Sequence, residues 1–298
     1  MFRNLRLYRV SADWPASEDA LSNQLQNVPF KPCGSFTERS AGWEPPVADL
    51  PDLLARRVGG ADFFRLRTQS RLMPAAAVNE ALDERISEFS ARMDRPPGRK
   101  EKRDLKDEVV AELMPKALLK SDRTWGLFLG RERVLAIDTA SETQADRFLD
   151  QLRSAFGSLP LTPLEFKDPV SKLLTAVFLG QGPTAFYAGR ECRMLDPSTG
   201  SSSVSWMDID LADASVQKHV KDGLKLDRLA LTFDEVASLV LDQDCVVRKF
   251  KLLGMEQVED GDPLDEDPIG RLDAEFVLIA GVLSRLLAGL SKQLGGFD

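Results

Sequence analysis

Val78, Leu82, Ile86, Phe89 and Met93 recur at steps of three and four, the spacing that lays one apolar stripe along a helix. Pro74 stands just ahead of them, at a first helical position where its missing N–H costs nothing. Pro96-Pro97-Gly98 stops the stripe. A second helical pattern, Leu105, Val109 and Leu113, then runs until Pro115 interrupts it. The two runs predict a helical hairpin within residues 73–123, each arm reaching roughly 25 Å at about 1.5 Å per residue.

Shorter apolar runs predict strands on either side of it. Residues 2–10 read as a first strand. Residues 61–68 read as another, with Phe64, Leu66 and Thr68 on one side and Arg65, Arg67 and Gln69 on the other. Residues 125–129 and 134–138 form a β-hairpin through Gly130-Arg131-Glu132-Arg133. Ser17 predicts the start of a short helix to Gln26, and residues 30–46, rich in Pro, Gly and Ser, a loop or bent strand. Ser141 opens a helix carrying Ala145, Phe148, Leu149, Leu152 and Phe156, which Gly157 closes. Residues 159–166 read as an extended edge segment containing prolines.

Residues 170–179 predict a helix. Residues 180–207 hold Gly182-Pro183, Asp196-Pro197 and Gly200-Ser201-Ser202-Ser203, which are breakers, and give no element. A helix is predicted over residues 211–220. An antiparallel meander follows over 226–233, 235–241 and 246–252, turned at Asp242-Gln243-Asp244, with Lys249 and Lys251 on one face of its last strand. Residues 256–267 read as an acidic, mobile loop. A final helix over 272–294 carries Phe276, Ile279, Leu283, Leu287, Leu290 and Leu294, a stripe expected to bury on its own domain rather than on a partner. The fold class is α+β, divided into residues 1–74 with 124–167, the hairpin 75–123, and 168–298.

The chain has 298 residues, enough for about two domains on a soft prior of roughly 150 each. With no uninterrupted run of about 18 apolar residues, no membrane span is expected, and the first residues hold no apolar signal core. Cys33, Cys192 and Cys245 are few, odd in number and far apart, which fits the reduced thiols of a cytosolic protein. A net charge of −8 argues at first against a nucleic-acid partner. Its distribution softens that: residues 1–74 carry +2, 75–123 carry 0, 124–255 carry −3 and 256–298 carry −7. Residues 92–106 hold seven basic and three acidic groups, and binding to a polyanion follows the local field.

Catalytic signals are thin. His219 is the single histidine, and no Gly-x-Ser-x-Gly elbow accompanies it, so it reads as structural or merely exposed. The cysteines lack CxxC spacing for zinc. Gly180-Gln181-Gly182-Pro183 lacks the Gly-Lys-Ser/Thr ending of a phosphate loop. The cluster Asp262, Asp265, Glu266 and Asp267 lacks the Gly and Glu of an EF-hand loop and reads as solvated. Asp150 with Glu165-Phe166-Lys167 has the Asp…Glu-x-Lys form that can hold a divalent metal beside a base, although Glu-x-Lys is common in charged proteins. No catalytic residue, metal or cofactor is expected.

Basic side chains are spread over many elements: Arg3, Arg6 and Arg9; Arg65, Arg67 and Arg71; the 92–106 run; Lys116, Lys120 and Arg123; Lys218, Lys221 and Lys225; Arg248, Lys249 and Lys251. None forms a base-reading helix, zinc finger or RNA-stacking motif. The scatter suits phosphate contacts over a broad surface.

Several segments, in order along nearly the whole chain, resemble the bacterial recombination-associated RdgC family. They are Phe2-Arg3-Asn4-Leu5 with Tyr8-Arg9, Phe30 with Pro32-Cys33-Gly34-Ser35, Gly42-Trp43 with Pro45-Pro46, Leu105-Lys106-Asp107-Glu108-Val109, Leu113-Met114-Pro115-Lys116-Ala117, Gly157-Ser158-Leu159-Pro160, and Arg271 with Asp273-Ala274-Glu275-Phe276. The resemblance implies a horseshoe-shaped subunit of antiparallel sheets and helices, two of which close a ring with a positively charged hole. It implies binding of double- and single-stranded DNA with little sequence preference, nucleoid association, restriction of RecA recombinase access, and no enzymatic activity. The expected DNA contacts are Arg92, Arg95, Arg99, Lys100, Lys102 and Arg103, then Arg71, Lys116, Lys120, Lys218, Lys221 and Lys225. Of these only Lys116 falls within a quoted segment, and Pro96-Pro97-Gly98 departs from the family locally. Two other readings stay open: a metal-dependent nuclease using Asp150, Glu165 and Lys167, and a regulator touching only protein through the C-terminal helix.

Overall fold

Two strands of twelve residues each, β4 (Ala61–Leu72) and β5 (Leu118–Leu129), run through both compact units of the chain. The first unit takes Met1–Asn27, Pro45–Arg65 and Thr124–Asp298, and the second takes Val28–Glu44 and Leu66–Arg123. The computed structural model describes residues 2–199, 202–254 and 267–298. Most of the predicted acidic loop, 256–267, and its cluster Asp262, Asp265 and Glu266 lie outside the described residues, as do Gly200 and Ser201.

In the first unit, β4 and β5 continue into β6 (Val134–Ile137), β1 (Arg6–Val10) and β7 (Leu161–Pro163), with β3 (Ala55–Val58) pairing β4. The β5–β6 pair is the predicted hairpin, antiparallel from Gly126↔Ile137 to Leu129↔Val134. All four residues of β6 are buried because both faces of the sheet are covered, which is why this strand reads as a continuous apolar run. On one face lies α4 (Glu142–Phe156), capped by Ser141 as predicted, with Phe148 5.8 Å from Phe64. The short α1 (Glu18–Leu25) is capped by Ser17. On the opposite face Phe63 stacks on Phe276 at 3.9 Å.

The second sheet of this unit has the order β12-β11-β10-β8-β9, formed by β8 (Phe186–Leu195), β9 (Ser203–Met207), β10 (Lys225–Phe233), β11 (Ala237–Asp242) and β12 (Val247–Leu252). The last three are the predicted meander. The first two fill the stretch that gave no element. Leu229 faces Cys192 and Leu231 faces Ala188, so three residues of β8 bulge opposite one of β10. That bulge destroys the period-two signal on which strand recognition depends. Two helices, α5 (Val170–Phe178) and α6 (Ala214–Lys221), belong to the same unit. Residues 3–5, expected to extend the first strand, bind the second sheet instead: Leu5 and Val247 exchange both backbone hydrogen bonds at 2.7 and 2.9 Å.

The last helix, α7 (Pro268–Gln293), buries the whole predicted stripe of Phe276, Ile279, Leu283, Leu287, Leu290 and Leu294. By length and composition it is also apolar enough to cross a membrane. Counting uninterrupted apolar residues missed this because Arg271, Asp273, Glu275 and Arg285 punctuate the sequence. In this fold its apolar side is part of the core of the first unit.

In the second unit β2 (Arg39–Glu44) lies beside β4, the strand alternative for part of residues 30–46. The helical hairpin is present as α2 (Ala75–Met93) and α3 (Arg99–Leu113), followed by a single 3-10 turn at Met114–Lys116. Pro74 caps α2 from outside the helix rather than opening it. Strand β5 begins seven residues before the predicted start, so Lys120 and Arg123 are strand residues. Only Val78, Leu82 and Val109 of the hairpin's apolar positions are buried; Ile86, Phe89, Leu105 and Leu113 are half-buried and Met93 is exposed. Two helices alone bury only the line along which they touch.

Gly42 carries a strict steric demand. A Cβ there would fall 2.5 Å from both Cα and N of Phe30, whose N–H donates to the Trp43 carbonyl at 2.8 Å. The obstacle is backbone held by its own hydrogen bonds, so it cannot rotate away. Gly42→Ala is expected to destabilise the protein by about 3 kcal/mol, at the upper end of ordinary overpacking, read as a lowered denaturant midpoint.

Candidate nucleic-acid interface

Arg99, Lys102, Arg103 and Lys106 are spaced i, i+3, i+4 and i+7, so α3 presents them on one side. There they line a groove of about 580 Å³ whose other wall is Asn79, Leu82 and Asp83 of α2. All four cations are exposed, and among the described residues none of Arg92, Arg99, Lys100, Lys102, Arg103 or Lys106 sits in an ion pair. Arg99/Arg103 and Lys102/Lys106 are like charges at i, i+4, each pair costing a few tenths of a kcal/mol. A polyanion in the groove would relieve that repulsion. On α2, Glu80, Asp83, Glu84 and Glu88 form an acidic strip, of which Asp83 also borders the cationic groove.

Arg95 differs from its neighbours. Its guanidinium donates to both carboxylate oxygens of Glu101 at 2.7 and 2.8 Å, across the Pro96-Pro97-Gly98 turn. Glu101 also accepts the Gly98 N–H at 2.8 Å, and Arg95 lies over the Phe89 ring at 5.5 Å. The Arg95 hydrogen bonds first, then that of Gly98, hold the Glu101 carboxyl down to about 2.

The other expected contacts fall into two groups. Arg71 is committed to backbone: it donates to the carbonyls of Gly34 at 2.9 Å and Ala117 at 3.2 Å, tying a loop to the start of β5. Near it Arg67 lies over Phe30 at 4.3 Å, and Glu44, almost fully buried, accepts from Arg123 at 2.7 Å. Lys116 and Lys120 pair with Glu112 at 3.7 Å and Asp122 at 3.1 Å, exposed contacts too weak to withhold either from a polyanion. In the first unit Lys218 and Lys221 on α6 and Lys225 at the start of β10 are exposed and form a second basic group.

Asp150 and Glu165 are not brought into a metal site. Asp150 is exposed on α4 and pairs with Arg153 at 3.3 Å, whereas Glu165 lines a polar cleft with Arg6, Arg193, Arg228 and Arg248. Among the described residues no cluster of three or more His, Cys, Asp and Glu is placed to hold a metal ion. His219 packs its ring 5.7 Å from that of Trp206. All three cysteines are buried and unpaired, and burial raises the Cys192 and Cys245 thiols to about 11 and 12.

Antiparallel sheets carrying a two-helix arm with a cationic face define an α+β protein, and comparison with known proteins gives its family. Residues 1–297 match the family described as "Putative exonuclease, RdgC". The recombination-associated protein RdgC of Halorhodospira halophila is 32% identical over 296 residues, covering 99% of this chain and 98% of that protein. The one of Shewanella oneidensis is 30% identical over 298 residues, covering 100% and 98%. The chain belongs to the RdgC family, as its scattered motifs indicate.

Proposed function

We propose that this protein binds double- and single-stranded DNA without sequence preference, as a ring-shaped homodimer at the bacterial nucleoid, and limits access of RecA-type recombinase by occupying DNA. The reading is non-enzymatic. The observation that carries it is the row Arg99, Lys102, Arg103 and Lys106, four exposed cations without carboxylate partners along one groove. The family's recombination-associated name supports it. Contacts of this kind go to phosphates and carry no sequence information. Affinity for a duplex is expected to fall along a log–log salt line with a slope near −0.9 per neutralised phosphate. Equal affinity at about 50 and 200 mM salt sinks the proposal. Retention on a closed circle that matches retention on a short linear duplex sinks the ring alone.

The family description favours one competing reading, an exonuclease, to which the Asp150 and Glu165-Phe166-Lys167 pattern adds a divalent metal. Incubating end-labelled duplex with magnesium or manganese separates the two. Shortening of the strands that is lost in Glu165→Ala supports the nuclease; intact strands support occupancy.

A further inference from the structure

Simple charge counting makes Glu101 a liability: it puts a carboxylate beside the most cationic stretch of the chain. Its geometry says otherwise. One carboxylate gathers three hydrogen bonds, two from Arg95 at 2.7 and 2.8 Å and one from the Gly98 N–H at 2.8 Å. These bonds span a turn in which Pro96 and Pro97 already have fixed φ. Gly98 in turn accepts from the Lys102 N–H at 2.9 Å, joining the clasp to the first turn of α3. Asp94 ends α2 in the left-handed region, with φ 50°.

We infer that Glu101 is a positioning residue: with Arg95 it clasps the hairpin tip and sets the direction in which α3 leaves the turn, and so the line of Arg99, Lys102, Arg103 and Lys106 toward DNA. The inference rests on reading their groove as a DNA contact surface. Arg95 thereby leaves the set of phosphate contacts and becomes part of the support. Cations held in register before binding lose less freedom on binding, which raises affinity without any new contact.

The two accounts differ in sign. Glu101→Gln adds a unit of positive charge, so electrostatics alone predicts tighter binding and a steeper salt slope. Positioning predicts the reverse: affinity for a labelled duplex of about 30 base pairs down about fivefold, with a flatter slope. Arg95→Lys keeps the charge, lies outside both helices and removes the bidentate geometry together with the stacking on Phe89, so it serves where Glu101→Gln frays α3. It is expected to weaken binding by a similar factor, and the double variant no further than the weaker single one. Unchanged or tighter binding by either single variant overturns the clasp, as do losses that multiply in the double variant. A parent protein that does not retain the duplex overturns the DNA reading itself, and binding that survives loss of all four groove cations overturns the groove as its contact surface.

Discussion

Replacing Arg99, Lys102, Arg103 and Lys106 together by alanine is expected to weaken DNA binding about a hundredfold at about 100 mM salt and to flatten the log–log salt slope by about 3 to 4. The size follows from the number of charges removed at roughly 0.9 of slope each. The loss should be uniform across DNA sequences, because phosphate contacts read none. A folding defect is an unsuitable explanation in advance. The four positions are exposed, alanine has the highest helix propensity, and removing like charges at i, i+4 relieves repulsion in α3. The thermal midpoint should therefore hold or rise while binding falls. The acidic strip supplies the control: Glu80→Ala, Glu84→Ala and Glu88→Ala on α2 should leave binding unchanged or strengthen it. Unaltered affinity in the fourfold variant, measured by fluorescence anisotropy, would move the contact surface to the basic group of the first unit, Lys218, Lys221 and Lys225.

The cluster that predicts the α3 contacts holds Arg99, Lys102 and Arg103, adds Lys100 and omits Lys106. The i, i+3, i+4, i+7 spacing places side chains on one helix face whatever the tertiary structure does, so local order suffices. The same holds for α4 and α7, whose apolar stripes are buried as predicted except for the half-buried Phe156 at the end of α4. Arg71 and Arg95 look like any other cation in the sequence. Arg71 is spent on carbonyls 37 and 46 residues away, and Arg95 on a carboxylate across a two-proline turn. Strand β3 was missed because Arg56 and Arg57 make it read as polar surface. Each is held instead by a carboxylate, Arg56 by Asp273 of α7 at 2.5 Å and Arg57 by Asp62 of the paired strand at 2.5 Å. Strand β2, beginning Arg-Ser-Ala-Gly, has little strand propensity of its own and is fixed by pairing.

Phe276→Ala is expected to cost about 4 kcal/mol of stability, within the roughly 3–5 kcal/mol found for deleting a buried aromatic ring. The residue is fully buried, stacked on Phe63 with an interplanar angle of 12° and meeting Trp125 edge-on at 5.5 Å. The change would remove two aromatic contacts as well as apolar area and leave a cavity between α7 and the first sheet. Denaturant unfolding should show a lower midpoint with an unchanged slope. Val277→Ala and Leu278→Ala, on adjoining residues 44% and 48% exposed, should each cost only about 0.5 kcal/mol. The comparison decides what holds this long apolar helix. A large loss confined to Phe276 means that α7 is stabilised by burial on its own unit, as the packing indicates. Comparable losses at all three positions would mean that its outer face also rests against something apolar, a second subunit or a lipid surface, in the state in which the protein is measured.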